Sequence, residues 1–308
     1  MQQDERILVV TLSNIGDVVM TTPVLEALAR HYPDCKIDIV ADRRSSSLLQ
    51  SAPYTGQIFH REKGAGWRAQ WRLLRALRQH PYRVAVDLRT KMIPWLVRAQ
   101  QRVINRRGGD PNRHAVQTHY AVLEPLLDIA SPPPCRLYLD PDSVAQAREL
   151  LQSLPGRQWL AVAPGANWPG KRWPVERYHD LLKSSAGLFD GIILLGSGAD
   201  TARPVDVAEL NLPCLDVSGR TTLNTAAALL ARASVFVGND SGLGHMAAAL
   251  SIPTLTLFGP GEPQRYRPWG PHARIMLAPN RNLNELSVAA VATELEKLRL
   301  EGEAIDKS

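Results

Sequence analysis

The chain has 308 residues, 44% of them hydrophobic, and carries 36 Lys and Arg against 30 Asp and Glu, a formal net charge of +6. That length suits two domains of about 150 residues, each able to bury a core, and no stretch approaches the roughly 18 to 20 apolar residues that span a bilayer. Cys35, Cys135 and Cys214 are odd in number and lack C-x-x-C pairing, so neither a disulfide framework nor a thiolate zinc site is indicated.

The start MQQDERILVV carries no signal-peptide core, and the expected location is cytoplasmic. In the first half, strands over 7–12, 36–41, 57–60, 83–88 and 102–105 alternate with helical stretches centred near residues 27, 48, 72, 95 and 121. This rhythm predicts βαβ units and a parallel sheet. The first strand runs into SNIGDVVMTTP, which puts Asn14, Gly16 and Asp17 just past its carboxyl end, where open α/β sheets place their ligands. An Asp at that point is either a helix cap or a general base. Pro23 suits the first turn of the next helix, with Thr21 or Thr22 as its cap.

Between His60 and His114, fourteen Lys and Arg face only Glu62, Asp87 and Asp110. That segment is about +11 and leaves the remainder about −5. Such a face seeks phosphate, whether on nucleic acid, an anionic leaflet or a phosphorylated saccharide. Trp67, Trp71, Leu74 and Leu77 interleave with Arg68, Arg72, Arg75 and Arg78, as in an amphipathic helix. Its tryptophans either pack on the sheet or meet an interface.

Ser131-Pro132-Pro133-Pro134 breaks the alternation and Asp140-Pro141 follows, which places a linker there and divides the chain into 1–140 and 141–308. A helix over 143–154 leads into the second half, which restarts at 159–165 and repeats strands over 191–198, 213–219, 233–239 and 253–260 before a final helix near 283–300. The stretch VFVGNDSGLGHMAAAL, 235–250, joins a buried strand to a small-residue helix. Asn239 or Asp240 can cap that helix, and the amides of Ser241, Gly242 and Leu243 then face an anion-sized gap to which His245 can add a donor. Gly196 and Gly198 allow close backbone approach, and Asp200 suits either a ribose hydroxyl or a helix cap. The single D-x-D, Asp140-Pro141-Asp142, lies in the linker, so no metal-binding pair follows a strand.

Three long segments in order, SNIGDVVMTTPVLEALARHYP (13–33), PGANWPGKRWPVERY (164–178) and GNDSGLGHMAAALSIPTLTLFGP (238–260), resemble glycosyltransferase family nine, the ADP-heptose:lipopolysaccharide heptosyltransferase family. The resemblance implies a GT-B architecture of two Rossmann-like parallel-sheet domains facing across a cleft. It puts the acceptor on the N-terminal domain and the sugar nucleotide on the C-terminal one, with the last helix crossing back to the first domain. It implies an inverting, metal-independent transfer of heptose from ADP-heptose to the inner core of lipopolysaccharide, with no cofactor, at the cytoplasmic face of the inner membrane. The family's base aspartate falls on Asp17 and its lysine on Lys171. Donor contacts then fall on Asn167, Lys171, Gly196, Gly198, Asp200, Thr222, Asp240, Ser241, Gly242 and His245, and acceptor contacts on Asn14, Gly16, Asp17, Arg89 and Lys91. Arg172 is expected to point away from the donor. The partners implied are a nucleotide-sugar donor and a lipid-linked phosphorylated saccharide. Another nucleotide sugar or glycan acceptor fits the same motifs. So does a GT-B-like sugar-nucleotide epimerase, which needs no acceptor surface and leaves the basic segment unexplained. A nucleic-acid partner is not expected, since no recognised binding motif accompanies the charge.

Overall fold

The structure is a computed structural model that describes residues 5–61, 64, 66–105, 112–128, 130–198, 205–207, 210 and 212–305. The chain divides into two compact units, Met1–Tyr138 and Leu139–Ser308.

In the first unit, β1 (Arg6–Val10), α1 (Ile15–Val19), α2 (Thr22–His31), β2 (Lys36–Ala41), β3 (Thr55–His60), α3 (Trp67–Leu77), β4 (Tyr82–Asp87), α4 (Ile93–Leu96), β5 (Ala99–Ile104) and α5 (Ala115–Tyr120) follow in order. The strands form one parallel sheet in the order β3-β2-β1-β4-β5. Strand β1 is apolar on both faces because both are covered. Ile7 and Val9 pack with Val24, Leu25 and Leu28 of α2, while Leu8 and Val10 pack on the other side with Leu77 of α3. The chain leaves β1 in one direction and returns beside it as β4, so the strand order reverses between β1 and β4.

The second unit runs α6 (Pro141–Leu151), β6 (Trp159–Ala163), α7 (Val175–Ser184), β7 (Gly191–Leu194), β8 (Cys214–Asp216), α8 (Leu223–Leu230), β9 (Val235–Asn239), α9 (Gly242–Ala249), β10 (Thr254–Phe258), α10 (Pro263–Tyr266), β11 (Ala273–Leu277) and α11 (Val288–Ile305). Its parallel sheet has the order β11-β10-β9-β6-β7-β8, with the reversal between β6 and β9. Val291, Leu295 and Leu298 of α11 lie in this unit's core with Tyr178, Leu181 and Leu182 of α7. Alanines 247 to 249 of α9 are buried, as a helix lying tight on a sheet requires. Strand β11 went unread in the sequence: all of it but Leu277 is half-buried, so it shows neither a continuous apolar run nor a clean alternation. No helix among the described residues is long and apolar enough to cross a membrane.

One capping expectation holds in position and another is corrected. Thr21 is the N-cap of α2, without a side-chain cap bond, because its hydroxyl and that of Thr22 each turn back to a carbonyl three residues earlier, Val18 O at 2.7 Å and Val19 O at 2.8 Å. Asn239 and Asp240 do not cap α9: its N-cap is Ser241, without a side-chain cap bond, and both neighbours are engaged elsewhere.

Candidate active site

In the first unit the expected site residues follow β1 and β4, and in the second Lys171 and Asp240 to Gly242 follow β6 and β9, in each case at the carboxyl edge where the strand order reverses and open α/β sheets bind ligands. In the first unit, Asn14, Gly16 and Asp17 follow β1 and Arg89 and Lys91 follow β4, with β1 and β4 tied by the bond from Leu88 N to Val10 O, 3.0 Å. Asp17 lies on the first turn of α1, half-buried. Burial pushes its carboxyl above the ordinary value of 3.8, and a 2.8 Å hydrogen bond from Asn14 Nδ2 to Asp17 Oδ2 pulls the other way less strongly. The result is a carboxylate with enhanced proton affinity, oriented by Asn14, as a general base requires.

The turn after β4 is built by Asp87, which sequence reasoning did not single out. This fully buried carboxylate accepts from Arg89 N at 2.8 Å and Thr90 N at 2.6 Å, and the Thr90 hydroxyl donates to its other oxygen. Asp87 thereby fixes the backbone that carries Arg89. Burial and the nearby Arg61 charge both lower the pKa of Arg89, against the opposing pull of Asp42 and Asp87. Two guanidiniums held close together make a point at which an anion is favoured. Lys91 is exposed and has φ 62°.

In the second unit, the loop after β6 carries Lys171 and the end of β9 carries Asp240, and these two side chains meet with Nζ to Oδ2 at 2.5 Å. Their separation of 69 positions hid this pair from a reading of local motifs. Asn239 holds the loop in place. Its buried side chain donates to Pro164 O at 2.6 Å and accepts from Trp173 N and Tyr178 Oη, both at 3.0 Å. Arg172 braces the same loop through Nε to Ala166 O, 2.9 Å. Asn167 is exposed on it. We expect Asn239→Ala to orphan the buried Trp173 N–H and Tyr178 hydroxyl and to destabilise the second unit by about 1–3 kcal/mol for each buried group left unsatisfied. Urea unfolding followed by fluorescence of the buried Trp173 region measures the loss.

Beside the ion pair, α9 begins with Ser241 and Gly242, whose N–H groups point out of the helix start. Ser241 Oγ is buried without a hydrogen-bond partner, and His245 is buried one turn in. Gly196 and Gly198 follow β7, and Gly219, at φ 68°, packs on them: its N–H bonds Gly196 O at 3.0 Å, and a Cβ there would stand 2.8 Å from the Gly198 Cα. Thr222 is the N-cap of α8, accepting from Thr225 N at 3.1 Å, so its hydroxyl is used structurally. Asp200 lies outside the described residues.

The sequence and the fold match those of known proteins. The sequence model of Glycosyltransferase family 9 (heptosyltransferase) matches residues 98–294. Lipooligosaccharide heptosyltransferase 2 of Haemophilus influenzae is 27% identical over 88% of this chain and 88% of its own. Lipopolysaccharide heptosyltransferase 1 of Pseudomonas aeruginosa is 28% identical over 84% of this chain and 79% of its own. The solved E. coli ADP-heptose lps heptosyltransferase II superposes with a TM-score of 0.80 at 24% identity, covering 97% of this chain and 99% of that one. The fold is therefore that of the GT-B heptosyltransferases, two parallel-sheet α/β domains in one chain. With a family match spanning well over half its length and motifs that fall at both sheet reversals, the chain belongs to glycosyltransferase family 9 and is a glycosyltransferase.

Proposed function

We propose that this enzyme transfers heptose from ADP-heptose to the inner core of lipopolysaccharide, with inversion and without a metal, working peripherally at the cytoplasmic face of the inner membrane. The first unit binds the lipid-linked acceptor through Asn14, Gly16, Asp17, Arg89 and Lys91, and the second binds the donor. The observation that carries this reading is Asp17, a carboxylate of raised proton affinity standing at the sheet reversal of the first unit. The relatives named as lipopolysaccharide and lipooligosaccharide heptosyltransferases support the substrate class.

In the proposed step, Asp17 takes the proton of the acceptor hydroxyl as its oxygen attacks the anomeric carbon of the donor. The bond from that carbon to the diphosphate breaks on the opposite face, its electron pair leaves with ADP, and configuration inverts in a single displacement. Negative charge developing on the diphosphate is met by Lys171, by the α9 amides at Ser241 and Gly242, and by His245. Asp240, itself anionic, serves this site by holding Lys171 rather than by touching phosphate. Gly196 and Gly198 form the nucleoside side, and Thr222 shapes its edge as a helix cap.

Calorimetric titration with ADP, UDP, GDP and CMP, with and without Mg²⁺, tests the donor assignment. Preferential ADP binding that is indifferent to Mg²⁺ is expected. Preference for UDP or GDP replaces the donor while keeping the reaction class, and conversion of the sugar nucleotide to an isomer without acceptor makes the chain an epimerase.

A further inference from the structure

The apolar positions Trp67, Trp71 and Leu74 of α3 fall at i, i+4 and i+7, forming one stripe along the helix. Only part of that stripe meets the core. Leu77 is buried and Leu73 and Leu74 are half-buried against the face containing Leu8, Val10 and Phe59, but the N-terminal half of the helix leaves Trp67 and Trp71 68% and 58% exposed. Across from them the α4 segment presents Met92 and Leu96, and Trp95 of the same segment is 60% exposed outside the groove lining. The two segments wall an apolar groove of about 390 Å³.

Hydrogen bonds anchor the α4 wall. Arg78 Nε donates to Leu96 O at 2.7 Å, Arg102 Nε donates to Pro94 O at 2.9 Å, and the Arg102 guanidinium lies 5.8 Å from the Trp95 ring centre. On α3, one stripe over from the tryptophans, Arg68, Arg72 and Arg75 are exposed, with Arg68 5.5 Å from the Trp67 ring centre. A contiguous exposed apolar patch rimmed by charge marks an interaction surface. Here the apolar side chains are mostly tryptophans, which favour the membrane–water boundary, and the neighbouring stripe is cationic, which favours anionic headgroups. A second copy of so cationic a surface would repel the first.

We propose that the α3–α4 face is the membrane-docking surface, seating on an anionic lipid leaflet with Trp67, Trp71 and Trp95 at headgroup depth and the α3 arginines on lipid phosphates. This rests on the reading of a lipid-linked acceptor and names the surface that serves it. The groove begins at Thr90, next to Arg89, so docking brings the turn after β4 to the leaflet from which such an acceptor projects.

The test is co-sedimentation of the full chain with vesicles of phosphatidylglycerol and phosphatidylethanolamine, with phosphatidylcholine vesicles as the neutral control. Binding to the anionic vesicles is expected to exceed binding to the neutral ones by at least tenfold and to weaken with salt. Trp67→Ala with Trp71→Ala is expected to cut it about tenfold, and Arg68→Gln with Arg72→Gln and Arg75→Gln to remove most of the salt dependence. Both variants should melt with the parent protein, since the changed side chains lie outside the core. Equal binding to both vesicle types, or anionic binding untouched by the tryptophan changes, overturns the proposal. So does a solution dimer, or a duplex-DNA complex, that the tryptophan changes disrupt while vesicle binding persists. A deacylated, water-soluble acceptor separates the two readings: the tryptophan variant should turn it over at the parental rate, whereas vesicle binding without any turnover by the parent leaves docking intact and removes the heptosyl-transfer reading.

Discussion

Asp17→Asn is expected to lower turnover by about 10²–10⁴-fold, the usual contribution of a general base, while making the protein more stable at neutral pH. Both effects have one origin. Burial raises the proton affinity of the Asp17 carboxyl, so holding it ionised at pH 7 costs folding stability, and the amide removes that cost while still accepting the hydrogen bond from Asn14. A carboxyl whose folded pKa is raised contributes stability fully below its unfolded value, near 3.8, and loses it as pH rises through the folded value. The melting temperatures of parent and variant should therefore converge in acid and separate in favour of Asn as pH rises. Turnover of the parent should move oppositely, falling as pH drops through the raised value and the base becomes protonated. A variant that keeps parental turnover removes Asp17 from the chemistry, whatever its stability.

The second large effect concerns Lys171. Lys171→Ala is expected to reduce the rate of ADP release in the presence of acceptor by about 10²–10³-fold, the scale seen when one preorganised electrostatic group is removed from a reacting charge. The substitution also strands Asp240, whose side chain is only 10% exposed, beside the helix start where an anion is to bind. Part of the loss would then be repulsion rather than missing attraction. Pairing Lys171→Ala with Asp240→Asn separates these terms: recovery of donor affinity without recovery of turnover assigns the cation to the transition state. Asp240→Asn alone keeps the cation and should cost less than Lys171→Ala. If the single lysine variant transfers sugar normally, the leaving-group role passes to the α9 amides and His245.

Much of the architecture was legible in local pattern, because strands covered on both faces read as apolar runs such as Ile7 to Val10 and Val235 to Val237. Asp17 could be named from its place just past the first strand and from the family resemblance, and Lys171 from that resemblance, whereas the two sheet reversals emerge only from the strand order. What stayed hidden depends on partners distant in sequence. Asn239 looked like a helix cap because it precedes a helix, yet its amide is drawn to Pro164, Trp173 and Tyr178 from another part of the chain. Asp87 looked like the end of a strand, and its role emerges only from the two amides and the hydroxyl that converge on it. The tryptophans of α3 were readable as an apolar stripe, but where the sheet ends beneath that stripe is a tertiary fact.

The turn held by Asp87 also marks a seam in the first unit. Residues 87 to 90 have no slack, since an inserted residue would break the amide bonds that aim Arg89. One position later, Lys91 sits at φ 62°, a left-handed conformation that a lysine adopts at some cost and a glycine would adopt freely. Ahead of Lys91 the backbone is specified by chemistry at the sheet edge. Beyond it, the α4 segment keeps Ile93 and Pro94 on the protein and turns Met92 and Trp95 outward. A chimera joined at Lys91 should therefore exchange the α4 surface of one relative for that of another while leaving the geometry of the reaction centre in place.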